Sequence, residues 1–246
     1  MQSIDLNCDM GEGCGNDAEL MELISSANIA CGFHAGNFET MRRTAELAVA
    51  NNVAIGAHPG YRDRENFGRT AMSLPTKEVF AIVREQVLSM SEICSEFKTP
   101  LHHVKPHGAL YNQAAKDRDL AAAIAEAVAS VNGELILYGL SGSLLITEAE
   151  SAGLRTASEV FADRTYQADA SLTPRSQVGA MIEDEESSIA QVLQMIESQS
   201  VTALSGECIP LRAETICIHG DGASAVEIAK SIRESILSRG FEVRTI

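Results

Sequence analysis

Tryptophan is missing from the 246 residues, and aromatic side chains make up only 4% of them. Core packing must therefore fall to Ala, Leu, Ile and Val. Basic residues are scarce as well: 19 Lys and Arg face 34 Asp and Glu, a formal charge of −15. So acidic a chain repels a phosphate backbone, which argues against nucleic-acid partners, and the same repulsion argues against an anionic membrane surface. No apolar run approaches the roughly 20 residues needed to cross a bilayer. The N-terminus, MQSIDLNCDMGEGCGND, has no basic region followed by an apolar stretch, so no secretory signal is expected. The six cysteines, Cys8, Cys14, Cys31, Cys94, Cys208 and Cys217, form no CxxC pair. Reduced thiols in a cytoplasm are the simplest reading. Cys31 and Cys217 sit inside apolar runs and are expected in the core. There is no GxxxxGK[ST], which excludes a P-loop nucleotide site, and no GxSxG nucleophile elbow.

What remains is ordinary globular composition, 45% hydrophobic and 22% charged, enough to build a core. No Pro/Gly/Ser-rich linker or fixed-period repeat divides the chain, so one domain over residues 1–246 is expected. Apolar runs at Ser3–Leu6, Ala27–Cys31, Val53–Gly56, Leu101–Val104, Glu134–Tyr138, Arg155–Glu159 and Glu214–Ile218 read as strands. Val79, Val83, Val87, Met90, Cys94 and Phe97 step by three or four, the spacing of a helix entered at Pro75 with Thr76 as cap. Ile189, Val192, Leu193 and Ile196 mark another helix, opened by the acidic run Glu183–Glu186. Ala225, Val226, Ala229, Ile232 and Ile236 mark the last, ending near Gly240. Strand–helix alternation points to a parallel sheet covered by helices, either a barrel of about seven units or an open doubly wound sheet. Residues 163–179 are polar and aperiodic, and read as an ordered functional loop.

Chemistry-bearing residues follow the strands. Strand one runs into Asp9 and Glu12, strand two into His34, strand three into His58, and strand four into Lys105 and His107. Strand six ends on Glu159 and continues to Asp163 and Arg164; strand seven runs into His219 and Asp221. In a parallel barrel those ends converge on one face, where active sites are built. Asp5, Asn7 and Asp9 share one face of an extended strand. Buried there, their carboxylates need a metal, a hydrogen-bonding role, or a partner such as Lys105 or Arg164. His34, His58 and His107, together with Asp9, are candidate ligands for zinc or another transition ion, with metal-free acid/base chemistry as the competing reading. Lys105 is a candidate nucleophile or oxyanion partner, or else an ion-pair partner of Asp5 or Asp9. Arg164 and Arg175 suit a carboxylate or phosphate. The histidines at 102 and 103 fall at the start of their strand and read as structural, and Tyr61, Arg69 and Tyr111 as packing or surface residues. GLSGS at residues 139–143 is a weak phosphate-loop signal.

The segments DLNCDMGEG, SANIACGFHAG, GAHPGY, VKPHGALYN, EVFADRTYQAD, PRSQ and ICIHGD, in that order from Asp5 to Asp221, strongly resemble the LamB/YcsF family of 5-oxoprolinase A subunits. The resemblance implies a distorted (β/α)7 TIM-like barrel of the glycoside hydrolase/deacetylase type. It implies ATP-dependent opening of 5-oxoproline to glutamate, with ATP as cosubstrate, in a complex with separately encoded subunits B and C. It supports the following positions as site residues; the division of labour is assigned from their chemistry, with Asp9, His58, Lys105 and His107 as catalytic candidates and Asn7, Glu12, His34, Arg164 and Arg175 as substrate-binding candidates. A divalent metal is a further expectation at Asp9, His58 and His107. Three positions depart from the family pattern. Asn37-Phe38 stands where Asp-Pro is usual, the segment Tyr61–Arg64 differs in order, and Ala170 replaces a usual Gly. Two alternatives stay open: a metal-dependent hydrolase of a carbohydrate or N-acyl substrate, and a non-catalytic subunit that binds a small acid.

Overall fold

The computed structural model describes residues 2–219 and 224–246; Asp221 lies outside the described residues. Seven parallel strands close into a ring: β1 (Ser3–Met10), β2 (Ser26–Ala30), β3 (Ala54–His58), β4 (His103–Val104), β5 (Ile136–Leu140), β6 (Arg155–Phe161) and, after a short antiparallel hairpin of β7 (Ser200–Thr202) and β8 (Cys208–Pro210), β9 (Thr215–Ile218). Each pairs with the next, and β9 returns to β1 in parallel register, Asp5 opposite Thr215 and Asn7 opposite Cys217. A final strand, β10 (Glu242–Val243), also pairs with β1 in parallel. The barrel is thereby chosen over the open sheet, and every expected strand is present.

Eight helices surround the ring: α1 (Asp17–Met21), α2 (Phe38–Ala50), α3 (Thr76–Glu96), α4 (Gly108–Ala114), α5 (Arg118–Val131), α6 (Leu144–Ser151), α7 (Glu185–Ser198) and α8 (Ala225–Ser238) among the described residues. The long α3 buries Val79, Val83, Val87, Met90 and Cys94. It is entered one residue earlier than its expected cap: Pro75 is the N-cap, with no capping side chain, and Thr76 already lies in the first turn. Proline at the boundary satisfies the entry by its fixed φ alone. At α7, Asp184 accepts from the Ser187 N–H, so the acidic run opens the helix through one of its own carboxylates. Gly240 follows the last turn of α8 at φ +81°, the left-handed exit expected of it.

The two-residue period of β1 sorts its side chains sharply. Ile4, Leu6, Cys8 and Met10 join the apolar layer between strands and helices, while Asp5, Asn7 and Asp9 point into the barrel. The lumen is polar. Tyr138 of β5 reaches across it to donate to Asp5 Oδ2 at 3.0 Å, although β1 and β5 are not neighbours in the ring. Asp5 also accepts from Ser25, Ser26 and Thr215. The His103 ring hydrogen-bonds Asn28 Oδ1 (2.8 Å) and stacks on Tyr138, so its place at the strand start is structural, as expected. Gly56, directly opposite, has no room for a side chain: a Cβ there would collide with the His103 ring.

Candidate active site

The carboxyl ends of the strands open into a cavity of about 460 Å³, within the usual range for small-molecule sites. Asp9, Glu12, His58, Lys105, His107, Arg164, Arg175 and His219 all line it. The expected convergence of Asp9, His58 and His107 on one mouth is therefore what the structure shows.

Lys105 is fully enclosed. Its Nζ lies 2.9 Å from Asp9 Oδ1, 2.7 Å from Glu159 Oε1, 3.2 Å from Asn7 Oδ1 and 3.1 Å from Cys217 Sγ. Its partner is thus Asp9 rather than Asp5, with Glu159 as a second carboxylate. Burial pulls the ammonium pKa down, but Asp9, Cys217 and Glu159 outweigh it, so the pKa stands well above its usual value and the lysine stays charged. Burial likewise pushes Asp9 up, and the neighbouring His58 and Lys105 hold it well below the usual carboxylate range. Asn7 sits one layer deeper. It donates to Thr215 Oγ1 and accepts from Asn28 and Lys105, which fixes Lys105 from below.

The histidines form a tight group. His58 Nε2 is 3.2 Å from Asp9 Oδ2 and 2.9 Å from His107 Nδ1. Glu12 Oε1 is 3.2 Å from His107 Nδ1 and 3.0 Å from His34 Nε2. The His34 and His107 rings stack in parallel at 3.7 Å. Burial depresses His34 to about 4 and lowers His107, whereas at His58 the Asp9 charge overcomes burial and raises the pKa. Burial raises Glu12, and the His107 and His34 rings more than reverse it. Gly68, at φ +66°, lets the backbone pass: a Cβ would stand 2.8 Å from His34 Cβ and 2.9 Å from His107 Cδ2.

The far wall comes from the loop after β6. It folds back on itself through bridges Arg164–Met181 and Tyr166–Leu172, so it is ordered as expected. Arg164 donates to the carbonyls of Thr173 (2.5 Å) and Ala180 (3.4 Å), spending much of its guanidinium on holding this loop. Burial and the nearby Arg175 lower it to about 10. Arg175 lies at the rim and donates to Met181 Sδ at 3.5 Å. Behind them Asp163 grips His219 Nδ1 at 2.7 Å.

Glu159, Cys217 and the Asp163–His219 pair complete the site; sequence reasoning places Glu159, Asp163 and His219 at or after strand ends but assigns them no role. Glu159 ends a strand inside an apolar run, and Cys217 read as core. Asp163 and His219 are 56 residues apart, and only barrel closure joins them. The strand-end position of Glu159 and His219 was the available signal. Of the departures, Asn37 caps α2 by accepting from the Thr40 N–H at 2.9 Å, a role Asp would share. Ala170 adopts φ +64°, which explains why glycine suits that position.

A sequence profile of the LamB/YcsF family matches residues 4–246. The 5-oxoprolinase A subunit of Tolumonas auensis is 52% identical over 251 residues, covering all of both chains. The crystal structure of a lactam utilization protein from Thermus thermophilus superposes with a TM-score of 0.93 at 43% identity, again over all of both chains. A peptidoglycan deacetylase of Bacillus subtilis shares the barrel at a TM-score of 0.50 and 9% identity, covering all of this chain and 88% of its own, a likeness of fold alone.

Proposed function

The chain belongs to the LamB/YcsF family, and from that membership and the site we propose that it opens the ring of 5-oxoproline to glutamate, as the A subunit of an ATP-dependent 5-oxoprolinase working with subunits B and C. The observation that carries this reading is a buried, charged Lys105 set beside Asp9 and His58 at the cavity floor. A lactam is a stable amide, so its carbonyl needs both activation and stabilisation of the oxyanion that water addition creates. ATP supplies the activation as a phosphoryl group on the lactam oxygen; water adds to the ring carbon, the C–N bond breaks to leave a γ-glutamyl phosphate, and a second water hydrolyses that acyl phosphate to glutamate and phosphate.

In this reading Asp9 and His58 accept a proton from the attacking water, with the imidazole as base and the carboxylate stabilising its charged form. Lys105 faces the charge that develops on oxygen. The C–N bond breaks only when the ring nitrogen receives a proton. His219, oriented by Asp163 and within 4.8 Å of Asp9, is placed to give it. Arg175 is the cation available for the substrate carboxylate, since Arg164 is largely committed to loop carbonyls. None of the described cysteines is paired in a disulfide, which suits a reducing cytoplasm. Among the described residues no helix is long and apolar enough to cross a membrane.

The test is a coupled assay of glutamate formation from 5-oxoproline, with and without ATP and subunits B and C. Turnover is expected only when all components are present. Glutamate formation at the same rate when this chain is left out would overturn the proposal.

A further inference from the structure

The hydrogen atoms of two imidazoles at the cavity floor can be assigned from their partners. His58 Nδ1 lies 2.7 Å from the Lys105 carbonyl, and His107 Nε2 lies 2.8 Å from the Phe67 carbonyl. A carbonyl oxygen only accepts, so each of these nitrogens carries the proton. In the neutral rings, His58 Nε2 and His107 Nδ1 are then both lone pairs, and they face each other at 2.9 Å. Two more acceptors close on the same point: Glu12 Oε1, 3.2 Å from His107 Nδ1 and 3.8 Å from His58 Nε2, and Asp9 Oδ2, 3.2 Å from His58 Nε2. Four lone-pair donors meet at this point and repel one another unless a proton or a metal cation sits among them.

We propose that His58 Nε2, His107 Nδ1 and Glu12 Oε1 bind one zinc-class divalent transition ion, with Asp9 Oδ2 at its edge. Two imidazoles and one or two carboxylates suit such an ion and do not suit magnesium or calcium, which take oxygen donors. Zn–N bonds of about 2.05 Å at a tetrahedral angle place two nitrogens roughly 3.4 Å apart. The pair need open by only a few tenths of an ångström. Each proposed histidine ligand already has the outer partner that ligating imidazoles adopt, a backbone carbonyl on the second nitrogen.

His34 is excluded as a ligand alongside His107. Its ring is parallel to that of His107, 2° between planes and 3.7 Å apart, so one ion cannot lie in both ring planes. Its Nε2 instead contacts Glu12 Oε1 and orients that carboxylate. The neighbouring trio of Asp9, Cys217 and His219 is the weaker alternative, because Lys105 Nζ already occupies the space beside Cys217 Sγ at 3.1 Å. A bound ion of this class supplies Lewis acidity and a more acidic water at neutral pH. With such an ion bound, the His58 Nε2 lone pair would be a ligand and the proton of the attacking water would pass to Asp9 alone; the inference is otherwise independent of which lactam, or which partner, the site serves.

The experiment uses the full chain stripped with chelator. Zn²⁺ is titrated by calorimetry, and Co²⁺ is added for visible and proton NMR spectra. The expected result is one equivalent per chain and two paramagnetically shifted exchangeable N–H signals, one from each ligating imidazole. His58→Ala and His107→Ala should weaken Zn²⁺ binding by more than the roughly 10–100-fold that loss of an outer partner costs. His34→Ala should fall within that range, and Cys217→Ser should leave affinity unchanged. Circular dichroism controls folding, and Glu12→Gln is the conservative variant should a histidine replacement fail to fold. A folded wild-type chain that takes up neither ion at micromolar concentration overturns the proposal, leaving a proton shared between the two rings. So does a Co²⁺ complex lost in Cys217→Ser but kept in His58→Ala.

Discussion

Replacing Lys105 by Met keeps most of the aliphatic stem and deletes a cation that touches both Asp9 and Glu159. At separations of 2.9 and 2.7 Å, each contact is worth about 6 kcal/mol of attraction at an effective dielectric constant of 20. Much of that offsets the cost of burying three charges. Removing one partner of a buried pair typically costs about 3–5 kcal/mol, because the other charge is stranded. Asp9 keeps His58 at 3.2 Å, so the stranding falls on Glu159, which is fully buried and has no aligned hydrogen-bond donor among the described residues. The melting temperature should fall by about 6–20 °C, taking roughly 2–4 °C per kcal/mol for a domain of this size. The rate of ATP-dependent glutamate formation by the complex should fall by about 10²-fold or more, the scale of losing an oxyanion donor. The double variant Lys105→Met/Glu159→Gln separates the two effects: it removes the stranded charge, so stability should recover in part while the rate stays low. A folded Lys105→Met chain with near-normal turnover would refute the oxyanion role and leave Lys105 as a structural ion pair.

His219→Gln should lower the same rate by about 10²-fold or more, the usual contribution of a positioned general acid; Asp163→Asn should lower it too, since the ring loses its 2.7 Å anchor, and unchanged turnover in both would remove the pair from the mechanism. Ala170→Gly should stabilise the chain by about 0.5–1 kcal/mol in denaturant unfolding, because a left-handed alanine costs about 1–2 kcal/mol and glycine's extra unfolded-state entropy returns part of it; a loss of stability would contradict the strain assigned there. Burial holds the His103 pKa well below its usual 6.5. The unfolded chain therefore binds the proton more readily, and this residue's contribution to stability is present above about pH 6.5 and lost as pH falls below it, by up to about 1.4 kcal/mol per pH unit. His103→Gln should flatten the acid limb of a stability–pH curve, and an unaltered limb would count against a neutral buried ring.

The strands were legible because their apolar runs are short and bounded, and because the period of two in Asp5, Asn7 and Asp9 survives in the structure as one inward face. Closure was not legible. It depends on β9 returning to β1, a pairing more than 200 residues apart in the chain, and no local pattern encodes it. Residues whose chemistry differs from their surroundings stood out: His34, His58, Lys105 and His107 each follow an apolar strand. Cys217 did not, since a thiol in ICI reads as core until a lysine is found 3.1 Å away. Nor did the commitment of Arg164 to backbone carbonyls show, because a guanidinium holding a loop and one awaiting an anion look the same in sequence.

The polar lumen has a consequence for how this protein can change. Cohesion lies outside the cylinder, where Ile4, Leu6, Cys8 and Met10 meet the helices, and the site is built inside it, with Asp9 at the cavity and Asn7 and Asp5 beneath it on the same eight-residue strand. Alternate positions of one segment thus answer to separate selective demands. Substitutions on the outer face can retune thermal tolerance with little effect on the reaction. Matched replacements on the inner face can redirect the reaction while the shell stays intact. A one-residue insertion in β1 is the change the design does not survive, since it would turn carboxylates toward the helices and methionine toward the substrate.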